Sequence, residues 1–166
     1  LGSEFETQMT RVVTLAGATR EQVEEMRKPV LALAQDTAVG PSELAKGLYV
    51  LMSAGRDTGT AMEQLKISAQ MSALGMGNMH DTTLAVTGAM FAYKGQNLQA
   101  AEAANILIKA VQLGNMEIQD LTPAIARVNP IAAALGVSFR DVAAGIATFT
   151  HAGVDSAVAA TGMRAM

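Results

Sequence analysis

The chain has 166 residues, of which 50% are hydrophobic, 4% aromatic and 16% charged, with a formal net charge of −3 and no cysteine. That length fits one domain with a core of its own, and the composition excludes a disordered chain, a disulfide scaffold, a thiolate metal site and a cysteine nucleophile. The negative balance argues against capture of nucleic acid, which needs a basic face, and it leaves an oddity: where about 25% charge is usual, this chain has too little to coat its outside.

A membrane span would answer the oddity, but it needs about 18 or more predominantly apolar residues. The charge-free intervals, such as Thr82 to Tyr93 and Val142 to Val154, are shorter and carry Thr, Gly and His. The chain therefore reads as soluble and as an excised piece of something larger. Its opening, Leu1-Gly2-Ser3-Glu4-Phe5, has the look of cloning residue, because Gly-Ser and Glu-Phe are what two common restriction sites encode. Residues 1–8 are accordingly set aside as a leader, and 9–166 are taken as the folded region.

From there the elements follow in order. Thr19 with Gln22 has capping-box spacing and opens a helix in which Pro29 predicts a kink or restart. Gly40 closes it, and Pro41 beside Ser42 starts the next, whose Leu44, Leu48, Leu51 and Met52 form one buried stripe up to Gly55. An apolar stretch runs to Gly75 and Gly77, and Asn78 supplies the following cap. Gly95 and Asn97 punctuate the chain before a stripe of Leu98, Ala101, Ala104, Leu107, Ile108 and Val111, which ends at Gly114. Asn129-Pro130 is expected to split the region after Leu121, since proline pushes its predecessor out of helical dihedrals. Gly136 and the pair Ser138 and Asp141 then frame a helix carrying Val142, Ile146 and Phe149, and Gly153 with Asp155 opens the last. No segment alternates with period two. The expected fold is all-α, a compact bundle of seven or eight short helices with essentially no sheet.

One internal repeat is visible. Leu44-Ala45-Lys46-Gly47-Leu48 followed by Ser53-Ala54-Gly55-Arg56-Asp57-Thr58 parallels Val142-Ala143-Ala144-Gly145-Ile146 followed by His151-Ala152-Gly153-Val154-Asp155-Ser156. A mid-helix glycine costs up to about 1 kcal/mol against alanine, so its presence in both copies predicts close approach of another helix at that turn.

Residues that could carry chemistry are few. His80 beside Asp81 lies at a helix start and His151 one turn before Gly153, where a cation suits a helix C-terminus; both read as structural. Two histidines without cysteine, and no H-E-x-x-H, leave no zinc site. Gly75-Met76-Gly77 follows no strand and lacks the third glycine of a dinucleotide loop. There is no G-x-S-x-G elbow or P-loop, and no carboxylate pair spaced for acid–base work. Met62, Met71, Met76, Met79 and Met90 read as gap-fillers in the core, with an adaptable Met-rich groove as the other reading. No catalytic, cofactor-binding or metal-ligating residue is assigned, and the chain reads as a non-enzyme.

The ordered set of segments resembles a known family. Ser42-Glu43-Leu44-Ala45 leading to Gly47-Leu48-Tyr49-Val50-Leu51 and Ser53-Ala54-Gly55 begins it. An Ala-rich helix to Gly75, a threonine-rich helix to Tyr93 and the Ala-Glu-Ala-Ala segment at Ala101 to Ala104 continue it. Val128-Asn129-Pro130-Ile131-Ala132-Ala133-Ala134-Leu135-Gly136, then Ala152-Gly153-Val154 and Gly162-Met163-Arg164-Ala165-Met166, complete it. From about residue 36 onward the chain resembles the core domain of phage tail tape measure proteins, also called minor tail proteins. Thr161-Gly162 departs from the expected order Gly-Thr.

The resemblance implies structural work in the tail of a long-tailed phage or prophage. Tape measure proteins occupy the tail tube as it polymerises and so set tail length; they leave ahead of the genome and can help reach the host envelope. Implied partners are tube, tip and tail-chaperone proteins and sister chains, with no specific nucleic acid and no cofactor. The implied location is the virion tail, and the host cytoplasm during assembly.

Drawn as one helix, this stretch would span roughly 250 Å. Glycines and prolines break it up, so the expectation is a globule with a radius of gyration of about 15 Å, a compact module that docks other tail chains and is not itself the measuring rod. The alternative is a helical accessory or membrane-active module of a tail-associated lytic or host-penetration protein. The charge deficit also predicts apolar faces meant for other chains. Sedimentation should therefore show self-association as concentration rises; a strictly monomeric chain at high concentration would refute this.

Overall fold

The computed structural model describes residues 2–166. Among them are nine α-helices and no strand: α1 (Gly2–Ala16), α2 (Arg20–Thr37), α3 (Pro41–Ser53), α4 (Thr58–Ala73), α5 (Met79–Ala92), α6 (Ala100–Gly114), α7 (Ile118–Ala134), α8 (Phe139–His151) and α9 (Ser156–Ala165), with one short 3₁₀ turn at Lys94–Gln96. The all-α class is as expected, and the count is nine where seven or eight were anticipated.

Several expectations need correction. Residues 2–8, set aside as a leader, are part of the fold: α1 starts at Gly2, and Phe5, Met9 and Val12 are buried. Their i, i+4, i+7 spacing makes one apolar stripe. Glu6 pairs with Arg27 of α2, whose guanidinium also lies 5.8 Å from the Phe5 ring centroid. The prolines do not divide their helices either. α2 continues through Pro29 and α7 through Pro123 and Pro130. An internal proline costs about 3 kcal/mol or more. All three rings are exposed while the neighbouring apolar residues are buried, and a buried Val, Leu, Ile or Met contributes roughly 1.5–3 kcal/mol. Val23, Met26, Val30 and Leu33 on α2, and Leu121, Ile125 and Val128 on α7, therefore outweigh the interruption.

Most start signals do their expected work. Thr19 and Gln22 form the reciprocal capping box of α2. Asn78 Oδ1 accepts from the Asp81 N–H at 2.9 Å, and Asp155 Oδ1 accepts from Ala157 and Val158. Ser138 accepts from the Asp141 N–H, but its hydroxyl donates to the Asp141 carboxylate at 2.7 Å, one methylene being too few for the carboxylate to reach back as Glu would. Asp57, which caps α4, is held below the usual carboxylate range by hydrogen bonds from the Thr60 hydroxyl and amide. Asn97 does not start α6: it closes the 3₁₀ turn in the left-handed region, and Gln99 is the residue before α6. Gly40 is likewise the residue before α3 and not the end of α2, whose left-handed terminus falls on Ala38.

The chain taken as one folded region divides into two compact units, Leu1–Leu84 and Ala85–Met166. In the first, α1 lies along α3, while α2 and α3 pack on α4. Its core holds Phe5, Met9, Val30, Leu44, Leu48, Leu51, Leu65 and Met79, all buried. In the second, α6 lies along α8, while α7 and α8 pack on α9. Leu107, Leu121, Val142 and Ile146 are buried there, and Tyr93 stacks on Phe139 at 5.4 Å. Burial pushes the Tyr93 hydroxyl up, and the nearby Asp141 adds to it.

Matched in order, α1–α4 and α6–α9 make the same set of helix pairings. Their register is constant too. The first residues Gly2 and Ala100, Arg20 and Ile118, Pro41 and Phe139, and Thr58 and Ser156 are each 98 positions apart. The left-handed residues obey the same interval: Gly17 with Asn115, Ala38 with Gly136, Gly55 with Gly153. The repeat seen in the sequence is thus one helix of a four-helix unit that occurs twice.

The paired mid-helix glycines sit at close approaches, as expected. A Cβ on Gly47 would lie 2.8 Å from Met79 Cε, 2.9 Å from Thr83 Oγ1 and 3.0 Å from Leu65 Cδ1; one on Gly145 would lie 2.7 Å from Met163 Cε. Leu65 and Met163 are themselves 98 apart. At Gly47 three side chains must give way, whereas at Gly145 only the tip of one methionine must.

Gly47→Ala should therefore lower stability by about 1–3 kcal/mol in urea titrations. Gly145→Ala should be neutral or stabilising by up to about 1 kcal/mol, as helix propensity is recovered. Equal losses at both would refute the packing argument. A left-handed L-residue costs roughly 1–2 kcal/mol, offset in part by glycine's extra freedom when unfolded. Ala38→Gly should then raise stability by up to about 1 kcal/mol, and Gly136→Ala, with nothing within 4 Å of the added methyl, should lose a comparable amount; thermal melts of the two variants check both signs.

Candidate functional site: the groove between α6 and α8

α6 and α8 approach closely because small residues face each other. A Cβ on Gly114 would lie 2.6 Å from Thr150 Oγ1 and 3.0 Å from the Ala147 Cα, so the backbones meet where neither helix carries bulk. Beside this contact α6 and α8 line an open groove of about 390 Å³. Ala110 on α6 and Ala143, Ala144 and Ala147 on α8 give it an apolar surface, to which Ile106 and Leu113 add branched side chains. Leu113 is 67% exposed. The polar lining comes from Lys109, Arg140, His151 and Thr148, with no carboxylate among the lining residues. Arg140 reaches Glu102 at 3.5 Å, both side chains being largely exposed, so that pair is weak.

This groove places His151, read from sequence as a cation at a helix C-terminus, in the last turn of α8 and on the groove lining. His80 belongs to the other unit, exposed in the first turn of α5, and the two histidines are not brought together. Among the described residues, no group of three or more His, Asp or Glu side chains is arranged to hold a metal ion. Of the singled-out methionines, Met71 and Met79 are buried, while Met62, Met76 and Met90 are partly covered; none lines the groove. Among the described residues, no helix is long and apolar enough to cross a membrane.

The sequence reading missed the groove because its surface is alanine, which reads as ordinary helix. The signal that finds it is the interval of 98. Position 147 corresponds to Tyr49 of α3 and position 109 to Arg11 of α1. In the first unit the Arg11 guanidinium lies 5.3 Å from the Tyr49 ring centroid, a cation–π contact. In the second unit the cation is kept as Lys109 and the ring is replaced by the methyl of Ala147.

The chain belongs to the phage-related minor tail protein family, whose profile matches residues 27–166. It is 30% identical over 164 residues to the tape measure protein of Pneumococcus phage Dp-1, a match covering 99% of this chain and 14% of that protein. It is 29% identical over 147 residues to the probable tape measure protein of Clostridium phage phiCD119, covering 86% of this chain and 16% of that one. The chain thus spans about a seventh of the length of these relatives. No solved structure matches it.

Proposed function

We propose that this chain is a structural, non-catalytic module of a tape measure protein, within a longer chain that sets the length of a phage tail and assists tail assembly and genome delivery. The observation that carries the reading is the similarity to tape measure proteins along nearly the whole sequence. The module works in the virion tail and, during assembly, in the host cytoplasm, in contact with sister chains and with tube, tip or chaperone proteins.

Within such a protein this segment is a docking module and not a length of ruler. Its helices run from 10 to 18 residues, and their left-handed and glycine-terminated ends turn the chain back on itself within each unit. A ruler needs length proportional to residue number, whereas a bundle adds residues without adding comparable length.

Deleting residues 2–166 in frame from the full chain in its phage separates the two roles. Electron microscopy should show few assembled tails, with those that form keeping the parental length. Tails uniformly shorter by roughly 250 Å, the span of a continuous helix of that size, would make the segment part of the ruler. Parental numbers of tails at parental length would overturn an assembly role.

A further inference from the structure

We infer that the α6–α8 groove is a docking site for a protein segment presenting an aromatic side chain flanked by carboxylates. The inference rests on the internal repeat and the groove, and it is independent of the phage reading.

The first unit shows what a filled version of this site looks like. There Tyr49 of α3 is partly buried against the core, and Arg11 of α1 covers its ring at 5.3 Å. The second unit keeps the helix pairing, the register and the covering cation, now Lys109, but has Ala147 in place of the ring. What the second unit lacks is an aromatic group beneath a cation on an apolar floor. The groove of about 390 Å³ is large enough for such a side chain together with part of the backbone that carries it. Its size lies within the range of ordinary ligand pockets.

Charge selects the rest of the partner. Lys109 and Arg140 line the groove together with His151, and no carboxylate does. Glu102 answers Arg140 only at 3.5 Å and largely in solvent, so an incoming carboxylate can compete for it. A segment with glutamate or aspartate within a turn of its aromatic residue would set the ring under Lys109 and a carboxylate against Arg140. Leu113, exposed at the rim, offers the apolar edge against which the partner backbone closes.

The test titrates the isotope-labelled 166-residue chain with a synthetic helical peptide bearing one tyrosine and glutamates one turn to either side. Amide shifts should concentrate on α6 and α8 and leave α1 and α3 unmoved. Replacing the peptide's tyrosine by alanine, or its glutamates by lysine, should each weaken binding about tenfold or more. Ala147→Tyr should abolish binding by supplying the ring internally. Lys109→Glu combined with Arg140→Glu, both on exposed side chains, should also abolish it without touching the core, so the proposal stays testable if the tyrosine variant fails to fold. No shift at the groove at millimolar peptide would overturn it, as would equal binding by all three peptides or equal shifts on α1 and α3. Groove shifts that grow with concentration of the chain alone would assign the site to a second copy and overturn it too.

Discussion

The fold depends on how closely α1 can lie along α3, and α6 along α8. Helices of this length are marginal alone, and with only 4% aromatic residues no single side chain can bury enough surface to bind a pair loosely held. Close contact compensates, because dispersion and burial both grow as backbones approach. At the α6–α8 crossing Gly114 faces Ala147, and elsewhere the same device seats other helices: Gly47 of α3 admits Leu65 of α4 and Met79 of α5, and Gly145 of α8 admits Met163 of α9. The composition that first suggested a membrane is a consequence of this constraint. Alanine, glycine and methionine supply hydrophobicity without bulk or charge.

How much of this was legible in the sequence follows from which features are local. Caps were readable because Thr19, Asn78, Ser138 and Asp155 act on backbone groups two or three residues away. Helical stripes were readable for the same reason. Pro29 and Pro130 misled because the local cost of a proline is overruled by contacts of Val30 and Val128 with residues far along the chain. Phe5 misled in another way: its flanking residues resemble an artificial sequence, and only packing beside Met9 and under Arg27 shows it to be core.

The groove was illegible for a deeper reason. An alanine at 147 carries no chemical signal; it acquires meaning only beside Tyr49, and that comparison requires the register of all four helices. The sequence repeat is visible only across α3 and α8, where the glycines anchor it. Elsewhere identities are scattered, as in Leu15 with Leu113 or Val30 with Val128, and many buried pairs differ, such as Met9 and Leu107, or Val23 and Leu121. The three left-handed turns keep the register while the side chains diverge, since loop geometry depends on dihedral angles and not on identity.

The contrast between the two aromatic sites has a practical side. The chain has no tryptophan and two tyrosines, and they are distributed one to each unit. Tyr49 is partly exposed beneath a guanidinium, whereas Tyr93 is fully enclosed against Phe139. Intrinsic ultraviolet fluorescence and near-ultraviolet dichroism therefore carry two separable reporters, each silenced by a single Tyr→Phe change. The order in which the two bundles open can be followed without attaching a dye to either.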